Sequence, residues 1–458
     1  MSLGKPLFGT DGVRGQANSE PMTPETALKL GRALACVLRE SAGRRPRALI
    51  GKDTRLSGYM LETAVAAGLC SSGVDVRLVG PLPTPGIAFL TASMRCDAGV
   101  VISASHNGFE DNGIKFFGRD GFKLDDTVEA RIEGLVNDGA ALSATRVAPA
   151  EIGKAFRVDD AVGRYLVFLK SCVGRKVSFD GLKVVVDCAN GAAYRVAPEL
   201  LTELGAEVVS LGVDPNGTNI NLGCGALCPH TVRQALLDHR ADVGVALDGD
   251  GDRVLLVDGR GDFFDGDDVM ATLGRRMARQ GTLRGNTVVA TVMSNFGLET
   301  ALAEAGVRLV RTEVGDPAVS RAMRQGSYNL GGEQSGHLIF LDHATTGDGL
   351  LTALLMIAAM VESGRSLGEL RALRRTPQVL HSVAVRERLP LGQFPDLAQL
   401  IQHAEQQLGA RGRVLVRYSG TEMVARVMVE GEDVSTIEAL AQEIAQSVDR
   451  NVGLRRAL

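Results

Sequence analysis

The chain reads as an α/β protein with a shorter α+β segment at its carboxyl end. Three observations predict this. Short apolar runs of strand type alternate with helix-type stretches from residue 23 to residue 341. The 55 glycines suit the many tight turns such alternation needs. From residue 380 the style changes, with three strand-like runs set around two helical ones.

Taken in order, residues 23–40 predict a helix with Pro24 near its first turn. A strand at 47–51, a helix at 58–72 and strands at 74–79 and 99–102 follow, and the last strand runs into Ser103-Ala-Ser-His-Asn107. A second unit follows the polar, alanine-rich stretch 139–160, with strands at 182–187, 207–211 and 242–247 and a helix at 230–239. A third begins near Asp262: helices at 267–279, 296–305 and 317–325, strands at 287–292 and 308–311, and an apolar run at 338–341. The apolar stretch 350–361 reads as a helix buried all round, capped by Asp348 and too short to cross a bilayer. Residues 374–380 read as a linker with a solvated basic cluster. Strands at 380–386, 412–417 and 424–429 and helices at 395–408 and 434–449 complete the chain. The expected divisions are 1–157, 158–259, 260–373 and 374–458. The repeat is architectural, without residue-level matches between units.

Composition removes several function classes. Fifty basic and 54 acidic residues give a net charge of −4, with no polycationic surface for nucleic acid or anionic lipid. Tryptophan is absent and aromatics are 4% of residues, which argues against base stacking. Seven scattered cysteines do not form a disulfide framework and fit a reducing cytosol. Cys224, Cys228 and His230 have no second ligand pair nearby, so they read as packing residues rather than a zinc site. The stretch at 1–5 lacks the apolar core of a signal peptide, which points to the cytoplasm.

The most informative stretch is Asp248-Gly-Asp-Gly-Asp-Arg253, between the apolar runs 242–247 and 254–257. Glycine lets the backbone curl so that the three carboxylates converge. Two such charges ~4 Å apart repel by about 4 kcal/mol at an effective dielectric of ~20. A hard divalent cation removes that cost, and all-oxygen ligation points to magnesium or calcium. An EF-hand fails: Arg253 stands where its glycine belongs and Gly259 where its bidentate acid belongs. Arg253 points instead to a metal site that also meets phosphate.

Four other stretches carry chemistry. Ser105 lies in a turn at the carboxyl end of a strand, where α/β domains place active sites. Its neighbour His106 does not complete a triad, since adjacent residues of a strand point to opposite faces. The glycine-rich stretch 8–15 carries Arg14 and lacks the P-loop order. Glu333, Gln334, Ser335 and His337 fill one tight loop suited to hydrogen bonding a polyol. Arg417, Ser419 and Thr421 join a bidentate donor to hydroxyls and a glycine turn, a composition that cradles phosphate.

In this order the motifs resemble the α-D-phosphohexomutase superfamily over essentially the whole chain. The stretches at 8–15, 216–221 and 328–337 look more like its glucosamine branch than its mannose/glucose branch. The resemblance implies three similar α/β domains with mixed sheets plus a C-terminal α+β domain around a central cleft. It implies interconversion of glucosamine 6-phosphate and glucosamine 1-phosphate, on the route to UDP-N-acetylglucosamine and cell-wall precursors. Mannose or glucose phosphates are the alternative substrates. It makes Ser105 a phosphoserine that binds one Mg2+ together with Asp248, Asp250 and Asp252, and a glucosamine or glucose 1,6-bisphosphate the primer and intermediate. Glu333 and Ser335 would hold sugar hydroxyls, and Arg417, Ser419 and Thr421 the non-transferred phosphate. Lys115 and His337 match positions of proton transfer or phosphate contact, and Arg14 and Arg253 join them as candidate catalytic cations. The implied partner is a small sugar phosphate, with no nucleic acid and no membrane; a homodimer is left open.

The chain departs from the family pattern at Gly108, where proline is usual, and at Pro317-Ala318, where Arg or Lys and then Tyr are common. Met423 replaces a frequent proline, and Ala226-Leu227 a common Ser-Thr. None of these touches the proposed nucleophile or the acidic triplet.

Overall fold

The structure is a computed structural model that describes residues 7–9, 11–41, 43–174, 176–419 and 422–454. Thr421, Thr10 and the stretch at 1–5 read for a signal peptide lie outside the described residues.

Four sheets carry the fold. The first comprises β1 (Val13–Gln16), β2 (Arg47–Lys52), β3 (Asp75–Pro81), β4 (Ala98–Ile102), β5 (Asp111–Gly118) and β6 (Ala155–Arg157), in the order β1-β5-β4-β2-β3-β6. It is mixed: β2 runs parallel to β3 and β4, while β5 runs antiparallel to β4 and β1. The second holds β7 (Lys183–Asp187), β8 (Glu207–Leu211), β9 (Val243–Leu247), β10 (Val254–Asp258) and β11 (Phe263–Phe264), ordered β11-β10-β9-β7-β8. The third holds β12 (Thr287–Thr291), β13 (Arg308–Thr312), β14 (Leu330–Gly332) and β15 (Leu338–Phe340), ordered β13-β12-β14-β15. The fourth is antiparallel: β16 (Gln378–Ala384), β17 (Gly412–Tyr418) and β18 (Val424–Gly431), ordered β16-β18-β17. This is the mixed-sheet α/β architecture with an α+β tail that the sequence indicates.

Burial explains the strand patterns. All five residues of β4 and of β9 are buried, as expected for central strands covered on both faces. β16 alternates exposed and half-buried residues, because the small fourth sheet has one solvated face.

The apolar cores divide unevenly. One continuous cluster runs from Leu49 and Phe117 of the first unit, through Tyr165 and Val245, to Leu298 and Ile357 of the third. The apolar helix Gly349–Ser363 lies against β9, β10 and the helix Ala161–Cys172, so the chain of the third unit returns to brace the second. Asp348 caps it as expected, accepting from Leu351 N–H at 2.9 Å and from the Tyr165 hydroxyl at 2.7 Å. The fourth sheet keeps its own core, with Leu397, Val427 and Ile444 under the helices Pro395–Leu408 and Val434–Val452. No helix among the described residues is long and apolar enough to cross a membrane.

Some local expectations need correction. The polar, alanine-rich stretch 139–160 contains a short helix, Gly139–Ala144, capped by the Asp138 carboxylate, and β6. The supposed linker 374–380 ends early, because β16 starts at Gln378 and pairs with Glu430. Its basic cluster is not merely solvated: Arg375 reaches Asp265 at 2.6 Å and the buried Asp268 at 2.8 Å. Asp265 and Asp268 form a capping box at the start of the helix Gly266–Arg279, so Arg375 ties the chain to that helix end. His230 turns its ring edge onto Phe263 at 5.4 Å, and the seven cysteines are free.

Candidate active site

The acidic loop joins two antiparallel strands. Leu247 of β9 faces Val254 of β10, and residues 248–253 span the gap. Gly251 has φ +69° and turns the chain. Gly249 is required for another reason: a Cβ there would stand 2.6 Å from the carbonyl oxygen of Ser105. The absence of a side chain lets the serine loop of the first unit touch the acidic loop of the second.

That contact is close. Ser105 Oγ donates to Asp248 Oδ2 at 2.7 Å, and both side chains are buried. Asp248, Asp250 and Asp252 present carboxylate oxygens within 4.8 Å of one another. Asp250 Oδ1 and Asp252 Oδ1 are buried without a hydrogen-bond partner. Buried polar atoms left unpaired are uncommon and point to a missing ligand. A hard cation with oxygen ligands fits this donor set. Burial, followed by Asp252 and Asp250, pushes the Asp248 carboxyl well above its ordinary range. Burial also opposes charge on Asp252, but His337, Lys115 and Arg253 outweigh it and pull that carboxyl down.

All three α/β units brace the acidic loop. From the first, Thr84 donates its N–H to the Asp250 carbonyl at 2.8 Å and its hydroxyl to Asp250 Oδ2 at 2.7 Å. From the third, Gly349 N–H donates to Gly251 O at 3.0 Å, and Arg253 forms a β-bridge with His337. Arg253 N–H also donates to Asp248 Oδ1 at 3.2 Å.

The serine loop is held in part by two residues, Asp53 and Arg55, that the sequence reading did not single out. Ser105 sits at φ +50°, in the left-handed region that residues other than glycine seldom adopt. Arg55 is fully buried and donates to the carbonyls of Ser105 and Asn107 at 2.9 Å, Asp111 at 3.1 Å and Gly108. Its Nε pairs with Asp53 at 2.8 Å, and Asp53 accepts the Ser103 hydroxyl at 2.5 Å. Ser103 Oγ in turn accepts the Ser105 N–H at 2.9 Å. From the second unit, Asn221 Nδ2 donates to the Ser105 and Asn107 carbonyls, each at 2.9 Å. One signal for Asp53 and Arg55 was present: they follow the carboxyl end of apolar β2. Thr84 carries no local mark, and Asn221 ends the stretch 216–221 that carried the resemblance without pointing to this role.

The expectation that His106 points away from Ser105 is corrected. Ser105 lies past the end of β4, and its left-handed twist brings His106 Nδ1 to 3.4 Å from Ser105 Oγ. Burial, then the Arg253 and Arg14 charges, lowers the pKa of His106.

The remaining candidates fall into place around this centre. Lys115, on β5, is fully buried and pairs with Asp250 and with Asp11, each at 3.1 Å. Burial opposes its charge, but Asp11 and Asp250 prevail and hold the ammonium above the ordinary lysine range. Arg14 pairs with the same Asp11. His337 faces Asp252 with Nδ1 at 3.5 Å and accepts the Gly347 N–H on Nε2 at 3.1 Å. The amide contact favours the neutral ring; against it and against burial, the Asp252 and Asp316 charges raise its pKa. Full charges outweigh one amide dipole, so the raised direction is the net effect. Glu333 accepts the Gly315 N–H at 3.0 Å and lies 3.4 Å from the exposed Ser335 hydroxyl. Arg417 and Ser419 meet neighbours of their own. Arg417 Nη2 touches Met293 Sδ at 3.4 Å with Nε unpaired, and Ser419 Oγ accepts the Glu422 N–H at 3.3 Å.

Fold and site define a protein that sets a buried hydroxyl against a metal-type carboxylate cluster inside an assembly of three α/β units. Family models match consecutive parts of the chain. They are phosphoglucomutase/phosphomannomutase alpha/beta/alpha domain I at 5–142, domain II at 164–261, domain III at 265–376 and the C-terminal domain at 380–447. The chain belongs to the phosphoglucomutase/phosphomannomutase family. It is 57% identical over 452 residues to the phosphoglucosamine mutase of Syntrophotalea carbinolica, covering 98% of this chain and 99% of that one. Among solved structures, a phosphoglucomutase/phosphomannomutase family protein from Burkholderia thailandensis matches with a TM-score of 0.80 at 23% identity, over 98% of this chain and 99% of that one. The N-acetylphosphoglucosamine mutase of Aspergillus fumigatus, solved in complex with GlcNAc-6P and magnesium, matches with a TM-score of 0.66 at 20% identity, over 96% and 95%.

Proposed function

We propose that the chain is an isomerase that interconverts glucosamine 6-phosphate and glucosamine 1-phosphate through a phosphoserine at Ser105 and a sugar 1,6-bisphosphate. The observation that carries this reading is the 2.7 Å contact between Ser105 Oγ and Asp248, which joins a hydroxyl of the first unit to the acidic loop of the second.

Asp248, Asp250 and Asp252 would hold a magnesium ion together with an oxygen of the serine phosphate. When bound, the ion neutralises charge that develops on the transferred phosphoryl group. A phosphate on Ser105 adds about −1.5 to −2 charge beside three carboxylates. Arg253 and the charged Lys115 stand next to that position and are the proposed phosphoryl contacts. Lys115 is therefore a poor proton acceptor, and His337 is the proposed group that carries the proton of the sugar hydroxyl. Arg14 acts through Asp11, which it shares with Lys115. Glu333 and Ser335 would hold sugar hydroxyls. Arg417, whose Nε is buried and unpaired, would take the non-transferred phosphate with Ser419 and Thr421.

Ser105 attacks one phosphate of the bisphosphate or gives its phosphoryl to the monophosphate, so each cycle restores the phosphoserine. Between transfers the intermediate turns end for end while the C-terminal unit, with its separate core, closes over it. The test combines intact-mass measurement of Ser105 phosphorylation by glucose 1,6-bisphosphate with turnover of glucosamine, mannose and glucose 6-phosphates. Phosphate on Ser105 and preferred turnover of the glucosamine compound are expected. Failure to acquire the phosphate would overturn the reading, and preference for the mannose or glucose compound would move it to another branch.

A further inference from the structure

The family pattern sets a cation at position 317, where this chain has proline. The loop around it still receives one. Asp250 of the acidic loop pairs with Lys115, which pairs with Asp11. Asp11 also pairs with Lys123, whose Nζ reaches Asp316 at 2.6 Å. Asp316 lies 3.8 Å from His337 Nε2, and His337 Nδ1 lies 3.5 Å from Asp252. These contacts form a circuit that leaves the acidic loop at Asp250 and returns at Asp252. Lys123 is the step that joins the first unit to the third.

Asp316 opens the helix Asp316–Gly326, with Pro317 in its first turn. The residue before it, Gly315, donates its N–H to Glu333 at 3.0 Å. The ammonium of Lys123 thus fixes the segment that also grips the proposed sugar-binding carboxylate. A cavity of about 430 Å³ lies beside the pair, lined by Phe122, Lys123, Asp126, Asp316, Pro317 and Arg324 among others. Val319 and Met323 pack the same helix into an apolar cluster, and the charge of Lys123 adds to that packing at the helix's open end.

We propose that Lys123 is a positioning residue: by pairing Asp11 with Asp316 it pins residues 312–318 over the sugar site and retains the bisphosphate between its two phosphoryl transfers. This rests on the mutase reading above. No covalent step changes, since the ammonium of Lys123 pairs with Asp11 and Asp316 rather than with Ser105 or the acidic triplet.

The test uses the full chain with magnesium, glucosamine 6-phosphate and a trace of glucose 1,6-bisphosphate. Lys123→Met should raise the fraction of turnovers that release free bisphosphate, and the KM for the monophosphate, each by roughly tenfold, the scale of one lost charge-assisted contact. Phosphorylation of Ser105 by excess bisphosphate in a separate incubation, read by intact mass, should stay at the parent level, and Lys123→Arg should restore retention. Parent-like retention and KM in Lys123→Met would overturn the proposal, as would loss of Ser105 labelling in that variant alone. Failure of the parent to label would sink the mutase reading instead. Should Lys123→Met fail to fold, Asp316→Asn breaks the same link and must show the same escape of bisphosphate. When both fold, the double variant should be no worse than either single one, and additive effects would count against a shared link.

Discussion

Two loops that the motifs mark as phosphate-handling are built in opposite ways. The serine loop lies in the first unit, which one apolar cluster joins to the second and third, and a fully buried arginine and an asparagine from another unit fasten its carbonyls. The arginine–serine loop at 417–419 belongs to a unit with a separate core. Its arginine is half-buried, with one nitrogen unpaired and a thioether as its neighbour in the third unit. The first arrangement suits the proposed role of the serine loop, since phosphoryl transfer requires reacting groups held in place before substrate arrives. The second leaves a cation ready for an anion and a unit able to move. The tie between the two bodies is small and polar. Buried Glu430 of β18 accepts from Asn295 Nδ2 at 2.9 Å and Phe296 N–H at 3.0 Å, and Arg413 donates to Ser294 O at 2.6 Å.

This contrast can be broken by experiment. Ser105→Ala should lose at least ~10³-fold in sugar 1-phosphate formation, the scale seen when a nucleophile is removed. Near-normal turnover would end the phosphoserine assignment. Asp250→Asn should weaken magnesium binding by about 10²-fold or more, read by calorimetric titration. An unchanged isotherm would remove Asp250 from the ligand set. The two arginines sharpen the comparison most. Arg55→Met strands a buried carboxylate and several carbonyls, and should cost about 3–5 kcal/mol of stability, seen as an early thermal transition. Arg417→Ala should raise the KM for monophosphate about 10- to 100-fold, the worth of one charged hydrogen-bonding group. It should leave thermal unfolding almost unchanged. Equal stability losses at both arginines would erase the distinction between a fastened loop and a free one.

The same division separates what was legible in the sequence from what was not. Asp248 to Arg253 announced itself because a local run of acids and glycines contains its own reason for being there. Strands such as β8 and helices such as His230–His239 follow from contiguous patterns. The helix Thr84–Ser93 escaped notice: Pro81, Pro83 and Pro85 suggest a loop, yet Pro85 stands in its first turn, where proline is tolerated, and most of its residues are buried. β5 begins Asp-Asn-Gly, which reads as a turn, and becomes a strand only because β4 and β1 pair with it. Arg55 bonds to residues about 50 positions away and Asn221 to residues more than 110 away, so no local window contains their role. The residues proposed to carry chemistry lie in local motifs; the roles of those that hold them still depend on contacts far along the chain.

The left-handed turn at Ser105 has a consequence for the kind of alcohol this position accepts. Threonine offers the same oxygen, but a branched β-carbon is poorly tolerated at positive φ. Main-chain stereochemistry therefore selects the primary alcohol before reactivity enters. A Ser105→Thr enzyme would first have to unwind the turn that brings the oxygen within reach of Asp248.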